Sequence, residues 1–288
     1  MKMLSDLEKE LSSYYSMNSI DCGIVSSFWD YSLRKIYATA IKKHSGENFL
    51  QWDIINSTIH LPNREEVNGW YELLRKSSLW ESLFKDIIED SDVGCPIKFA
   101  DNCKASPTSV QNAFHILTMK NYYIDIYEYD AIIELGAGYG SLYRMLRRMK
   151  FNKKYIIFDL QPMIILQRSY LESVSEEENV DYFENLYFCT DENMLNEKIA
   201  TINKRILVIG LWSLSEMPLK YREVVLKNIS NKQKVDYFIA YQDEFLEYDN
   251  AAFFNNFFDN KRYVTLCNKI PYHDNNYYML LKEIDDES

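Results

Sequence analysis

The chain is short of glycine, histidine and positive charge. Its 288 residues hold 8 glycines and 4 histidines, and 32 Lys plus Arg stand against 43 Asp plus Glu, for a net charge of -11. That balance excludes a nonspecific nucleic-acid binder, which needs a basic footprint over the phosphates. It also gives an anionic membrane surface no reason to attract the chain. No stretch reaches about 18 uncharged apolar residues, so no membrane-spanning helix is expected. The opening MKMLSDLEKELSSYY carries charges through its apolar positions and reads as neither a secretion signal nor a membrane anchor. Cysteine is limited to Cys22, Cys95, Cys103, Cys189 and Cys267, with no C-x-x-C pair. The expectation is reduced thiols in a cytoplasmic protein, with neither a disulfide framework nor a structural zinc site.

What is present divides into two patterns. Over residues 1–105 apolar residues recur at intervals of three and four: Leu4, Leu7, Leu11; Val67, Trp70, Tyr71, Leu74; Leu79, Leu83, Ile87, Ile88. These predict a helical N-terminal cap region. Asn63 followed by Glu66 reads as a capping pair opening one such helix. Over residues 106–288 short β-branched runs alternate with helical stretches. The runs are AIIEL (131–135), YIIFDL (155–160), LYFC (186–189), RILVIGL (205–211), DYFIAY (236–241), RYVTLC (262–267) and YYMLLKEI (277–284). Strand alternating with helix predicts an α/β fold on a parallel sheet. The link between the last two runs is too short for a crossover helix, so these predict a closing antiparallel hairpin.

The scarce glycines are not scattered. Gly136, Gly138 and Gly140 fall within five positions, after the strand AIIEL and before the helical SLYRMLRRMKF. Glycines at such a turn let the backbone bend tightly and let a ligand approach, and the helix start beyond offers free amides. The next strand ends in Asp159, 19 residues after Gly140, where a carboxylate can accept ribose hydroxyls. Together these indicate a nucleoside-containing cofactor. The loop is G-x-G-x-G, not the G-x-G-x-x-G of dinucleotide sites, and Glu134 stands two residues before its first glycine. A carboxylate there suits a cationic group and not a pyrophosphate, which disfavours a dehydrogenase.

The E-x-G-x-G-x-G spacing, the strand order and the terminal hairpin resemble the class I S-adenosylmethionine-dependent methyltransferases. The resemblance implies a Rossmann-like seven-strand, mostly parallel sheet whose last strand is antiparallel. It implies Glu134, Gly136, Ala137, Gly138, Tyr139 and Gly140 around a methionine moiety and Asp159 on the ribose. It also implies Leu160 and Gln161 along the adenine, and Asp191 near its amine. Trp212 and Ser213 are further candidates for contact with the adenosyl group. SPTSVQNAF (106–114), IIELGAGYGSLYRML and LWSLSEMPLKYRE (211–223) are similar, more narrowly, to a bacterial sugar O-methyltransferase family. Ala137 stands where glycine is frequent in that family.

A hydroxyl acceptor needs a base. His273 lies in the loop between the last two strands, Glu216 follows the fourth strand, and His115 lies on the helix before the first; these three are the catalytic candidates. Asp243 and Glu244 follow the fifth strand and are weaker ones. A metal site is not expected, because no ligand spacing imposes one. Tyr122, Tyr123 and Tyr127 are expected to pack between the two regions more than to form a lid. The charged runs RRMK (147–150) and SEEEN (175–179) are expected as solvated helix ends. The functional expectation is methyl transfer to a small polar acceptor, and the narrower resemblance implies a sugar or nucleotide-sugar of surface polysaccharide biosynthesis. An amine, a phosphoramidate or another phosphorylated capsule precursor is the alternative acceptor, and a non-catalytic binding module the alternative role.

Overall fold

The structure is a computed structural model describing residues 7–17, 24–43, 46–59, 63–100, 103–231, 234–258 and 262–284. His44 and His60, expected at the surface, and Cys22 lie outside the described residues. The N-terminal third is helical: α1 (Leu7–Met17), α2 (Ser27–Lys43), α3 (Asp53–Thr58), α4 (Arg64–Lys76) and the single-turn α5 (Lys85–Ile87). Helix α4 starts where the capping pair places it. Asn63 Oδ1 accepts the amides of Glu65 and Glu66 at 3.0 Å each, and Glu66 Oε2 accepts the Asn63 amide at 2.9 Å. The reciprocal pair satisfies amides that a helix start otherwise leaves open. The Leu79–Leu83–Ile87 series departs from a regular helix. Trp80–Phe84 winds as a π turn, with the Phe84 amide bonded to the Leu79 carbonyl five residues back.

Helix α6 (Pro107–Asn121) joins this region to the sheet. The Ser106 hydroxyl caps it by accepting the Ser109 amide at 3.2 Å, and Pro107 sits at the first turn, where no amide is required. The Asp90 carboxylate accepts from the Ser106 amide and the Ser109 hydroxyl, tying the N-terminal region to the same helix start. All residues from Ser109 to Met119 are buried, because α6 packs on α4 on one side and on sheet residues Phe238 and Tyr278 on the other.

The alternating pattern then follows. It runs β1 (Ala131–Leu135), α7 (Ser141–Arg148), β2 (Lys154–Phe158), α8 (Gln161–Glu178), β3 (Leu186–Cys189), α9 (Glu192–Ala200), β4 (Ile206–Leu211), α10 (Ser213–Glu216), α11 (Leu219–Ser230) and β5 (Val235–Gln242). A two-stranded ribbon, β6 (Glu244–Phe245) with β7 (Tyr248–Asp249), leads into α12 (Asn250–Phe258), which the sequence pattern had not marked. The chain ends in β8 (Tyr263–Lys269) and β9 (Asn276–Glu283). The seven-stranded sheet has the order β3-β2-β1-β4-β5-β9-β8, parallel except for β9, which runs antiparallel between β5 and β8. This is the Rossmann-like α/β class that the sequence predicts. Successive strand residues feed opposite cores: Ile132, Tyr155 and Leu207 face α6, α7 and the N-terminal helices, while Ile133, Ile156 and Val208 face α9 and α11. That period of two, buried on both sides, explains why the strands read as continuous apolar runs. Strand order reverses between β1 and β4, the place where open α/β sheets bind ligands at their carboxyl ends. Among the described residues no helix is long and apolar enough to cross a membrane.

Two charged runs depart from expectation. Arg148 of RRMK donates to the Ile87 and Glu89 carbonyls at 3.3 and 2.7 Å, and Arg147 to the Phe151 carbonyl at 3.1 Å. In SEEEN, Glu177 accepts from the Ser91 hydroxyl at 2.9 Å and the Asp92 amide at 3.2 Å, while Glu178 pairs with Arg144. Arg148 and Glu177 clamp segment 87–92, whose polar backbone must be satisfied between α5 and α6, while Lys150, Glu176 and Asn179 are exposed as solvated ends. Arg144 is 2% exposed and also donates to the Glu89 carbonyl at 3.1 Å. Arg144→Ala removes one side of a largely buried ion pair, which costs about 3–5 kcal/mol. Urea unfolding is expected to show a loss of about that size; a loss under about 1 kcal/mol would mean that solvent replaces the pair.

Candidate functional site

The three clustered glycines all adopt left-handed backbone, with φ of 72° at Gly136, 56° at Gly138 and 95° at Gly140. Gly136 is constrained twice over, since a Cβ there would lie 2.3 Å from Ser213 Cβ. Ala137 is outside the left-handed region, so a methyl group at that position leaves the loop intact. Gly140 caps α7 and turns the chain into it.

Asp159 holds this loop from the end of β2. Its Oδ2 accepts the Ala137 amide at 3.1 Å and Gln167 Nε2 at 2.6 Å, and its Oδ1 accepts the Leu160 amide at 2.8 Å. Gln167, from α8, also donates to the Gly138 carbonyl at 3.0 Å. A carboxylate accepts about four hydrogen bonds, so one direction remains for a ligand hydroxyl. Burial pushes the Asp159 carboxyl up to about 6 despite these donors.

The loop and Asp159 form one end of a cavity of about 370 Å³ at the carboxyl ends of β1, β2, β4 and β5. Lining this end are Glu134, Gly136, Ala137, Gly138, Tyr139, Asp159, Leu160, Met163 and Thr190. Tyr139 is 3% exposed and packs edge-on against Tyr170, so it is mostly core. Glu134 accepts from the Tyr155 hydroxyl at 2.7 Å. Burial pushes its carboxyl up to about 8, with Tyr155 opposing the shift and Asp159 adding to it. Of the residues assigned to the cofactor by sequence, Gly140, Gln161 and Asp191 lie outside the lining. Gln161 opens α8, and Asp191 turns its carboxylate to the Met194 amide at 2.9 Å as the cap of α9, which leaves Thr190 at the cavity.

The other end gathers all three catalytic candidates, His115, Glu216 and His273, with Trp212, Gln242 and Asn276, while Ser213 lies between the two ends against Gly136. His115 is 1% exposed; its Nδ1 lies 2.6 Å from the Tyr278 hydroxyl, and its Nε2 has no protein partner among the described residues. Burial pushes its pKa down to about 3, so the ring is neutral across the physiological range. Glu216 accepts from Trp29 Nε1 at 2.8 Å, and burial raises its carboxyl to about 7. His273 stands between the rings of Trp70 and Trp212, 6.2 and 5.7 Å away, and burial lowers its pKa. Trp212, at a φ of 63°, is locked by its indole donating to Asn276 Oδ1 at 2.6 Å. Asp243 and Glu244 do not line the cavity; Gln242, one residue earlier, does. Tyr122, Tyr123 and Tyr127 are also outside the lining, and Tyr123 is 85% exposed, which removes the lid as a role for them. Residues 24–29 and 57–59 of the N-terminal region close the cavity, including Trp29 and Ile59. Among the described residues no group of three or more His, Cys, Asp or Glu is placed to hold a metal ion.

Gln167, Trp29 and Gln242 escaped sequence reasoning. Trp29 meets Glu216 across 187 residues and Gln242 meets Ser215 across 27, and even Gln167, eight residues from Asp159, is a lone Gln with no spacing signal. The residues quoted for the narrower resemblance fare better. Thr108, Gln111 and Asn112 of SPTSVQNAF, and Trp212, Ser213 and Glu216 of LWSLSEMP, all face the cavity.

No family model matches this chain, and no curated protein is similar to it at a significant level. Solved structures with a similar fold include the Pnkp1/Rnl/Hen1 RNA repair complex, with 14% identity over 58% of this chain, at a TM-score of 0.42. That match spans 41% of the other chain, less than half its length. Also similar are the methyltransferase PaMTH1 of Podospora anserina with bound SAH, with 12% identity over 80% of this chain and 92% of that one, at a TM-score of 0.40. The magnesium protoporphyrin IX methyltransferase ChlM of Synechocystis PCC 6803 with bound SAM has 12% identity over 77% and 96%, at a TM-score of 0.41. At this level the likeness is one of fold alone.

The raised carboxyl of Glu134 makes the stability of the chain pH-sensitive. Its pKa rises from 4.5 to about 8 on folding, so the stability of the protonated form is complete below about 4.5 and lost as pH climbs through about 8. Glu134→Gln removes that titration. Its melting temperature relative to the native chain is expected to increase steadily from about pH 5 to about pH 9. A difference that stays flat with pH would contradict a buried, protonatable Glu134.

Proposed function

We propose that the chain is an S-adenosylmethionine-dependent methyltransferase acting on a hydroxyl of a small, unphosphorylated polar acceptor, with a sugar as the leading class. One observation carries this reading. A single cavity joins the glycine loop, Glu134 and Asp159 at one end to three groups able to manage a proton at the other. When bound, S-adenosylmethionine supplies a methyl group already activated by the sulfonium charge, and alignment with the acceptor then accounts for several kcal/mol of the barrier.

The chain's own residues fit that ligand. Asp159 has one acceptor direction left for a ribose hydroxyl, and Leu160 and Met163 offer apolar surface beside it. Glu134 is a buried carboxyl whose titrating neighbours, Tyr155 and Asp159, bring no positive charge. A cationic amino-acid end would supply what it lacks and favour its ionised form. Trp29 and Ile59 from the N-terminal region line the cavity with apolar surface, which reduces the water around the charges inside.

The lining also supports a choice of acceptor. Among the described residues it holds no lysine or arginine, while Glu134, Asp159 and Glu216 are all acidic. A diphosphate or phosphoramidate group would meet repulsion there. Gln111, Asn112, Gln242 and Asn276 instead line the cavity with amide groups, which both donate and accept. Gln111 Nε2 is buried with no protein partner among the described residues. Hydroxyl-rich molecules match such a surface. The sugar of a nucleotide-sugar could enter only with its phosphates held outside.

Isothermal titration tests the cofactor half. The intact chain is expected to bind S-adenosylhomocysteine, and Asp159→Asn to bind it about 10- to 100-fold more weakly, the scale of a lost hydrogen bond to a charged group. Equal binding by both, or none by the native chain, would overturn the assignment. S-adenosylhomocysteine release in the presence of candidate acceptors tests the other half. Free saccharides are expected to stimulate it more than their phosphorylated counterparts; the opposite preference would reject the acceptor class.

A further inference from the structure

One face of α4 is built around the turn that carries His273, and it places a carboxylate on that ring. Three α4 residues at helical spacing make the contacts. Trp70 Nε1 donates to the Pro271 carbonyl at 2.8 Å. Gly69 lies beneath the Tyr272 ring so closely that a Cβ would be 2.4 Å from it. Glu66 Oε1 lies 3.3 Å from His273 Nδ1. The turn holds this fit with a left-handed φ of 64° at Tyr272, a conformation that is strained for a non-glycine residue. The Trp70 and His273 rings are near-parallel, 6° apart at 6.2 Å, so the imidazole plane is fixed as well as its position.

Glu66 is unusually well held for a carboxylate. It is 7% exposed, and its other oxygen accepts the Asn63 amide in the α4 capping box. The cap therefore fixes Glu66, Glu66 meets Nδ1, and the ring lines the cavity. A carboxylate can only accept, so an imidazole that turns Nδ1 toward it at this distance is favoured with its proton on Nδ1 and its lone pair on Nε2. The 3.3 Å approach is a contact and not yet a hydrogen bond; catalytic hydrogen bonds are often poorly aligned before a substrate is bound.

We propose that Glu66 is a positioning residue that fixes the tautomer of His273 and thereby makes His273 Nε2 the proton acceptor facing the substrate. The proposal rests on the methyltransferase reading for the meaning of that proton transfer, but not for the geometry. The acceptor hydroxyl's proton passes to Nε2, and the imidazolium that results is balanced by the Glu66 carboxylate. His115 and Glu216 then serve as hydrogen-bonding groups in the same pocket. The N-terminal region becomes part of the catalytic apparatus, because the helix cap of α4 is what aims the base on the β8–β9 turn.

Glu66→Gln separates this role from a structural one. Gln keeps a carbonyl oxygen for the Asn63 amide and so preserves the cap, but it can turn its NH₂ to Nδ1 and reverse the tautomer. Nitrogen-15 NMR of histidine-labelled chain reads the protonated nitrogen directly, with His273→Gln identifying the resonance among the four histidines. The native chain is expected to show His273 protonated at Nδ1, and Glu66→Gln to show the proton moved to Nε2, with an unchanged affinity for S-adenosylhomocysteine by titration calorimetry. A native His273 already protonated at Nε2, or a tautomer unmoved by Glu66→Gln, would overturn the proposal. Should Glu66→Gln fail to fold, the native tautomer alone decides. Failure of S-adenosylhomocysteine to bind a chain with the expected tautomer would reject the methyltransferase reading and leave the dyad standing.

Discussion

Everything at the carboxyl end of this sheet depends on one carboxylate. Asp159, at the tip of β2, accepts the Ala137 amide and so holds the loop that leaves β1 in left-handed backbone. Gln167 braces the same carboxylate and the Gly138 carbonyl from α8. The two parallel strands are thus joined beyond their last ladder bond. The loop is held toward β2 by Asp159, while Ser213 beyond β4 packs on Gly136 and donates to the Leu135 carbonyl from the other side. The same group that builds the wall keeps one acceptor direction free, so structure and recognition share a side chain.

A second constraint is the cost of burying acids together. Glu134, Asp159 and Glu216 line one cavity, and burial raises all three carboxyls. No described lysine or arginine lines the cavity to balance them. Isolated charges in such a place are expensive, and the carboxyls respond by holding protons. A protein that keeps this arrangement stores a preference for positive charge. A sulfonium with an ammonium group satisfies it, and a pyrophosphate aggravates it. The electrostatics of the cavity therefore separate the methyl-donor reading from a dinucleotide reading more firmly than glycine spacing does.

Much of the fold was legible in the sequence because its signals were local. The β-branched runs mark all seven main strands, and the short CNKIPYHDNN link announces the terminal hairpin. Asn63 with Glu66 marks the start of α4. Within the site, Glu134, the glycine loop, Asp159, Trp212 and all three proton-handling candidates converge on one cavity. What the sequence concealed was long-range pairing. Asp191 had the right place in the strand order, but its carboxylate was committed to capping α9. The arginines of RRMK resembled a solvated end, yet two of them satisfy carbonyls in other segments. Glu66 announced its capping role through spacing; its contact with His273, 207 residues away in the chain, had no sequence signature.

The chain is thus a sheet whose ligand end is lined on one side by its own N-terminal helices, with α4 of that region setting a carboxylate beside His273. The crystal structure of the chain grown with S-adenosylhomocysteine tests this account most directly. The account predicts the nucleoside in the cavity between the glycine loop and Asp159, its amino-acid end toward Glu134, with His273 facing the space left for an acceptor. A ligand bound elsewhere, or a cavity that stays closed to it at saturating concentration, would contradict the central claim.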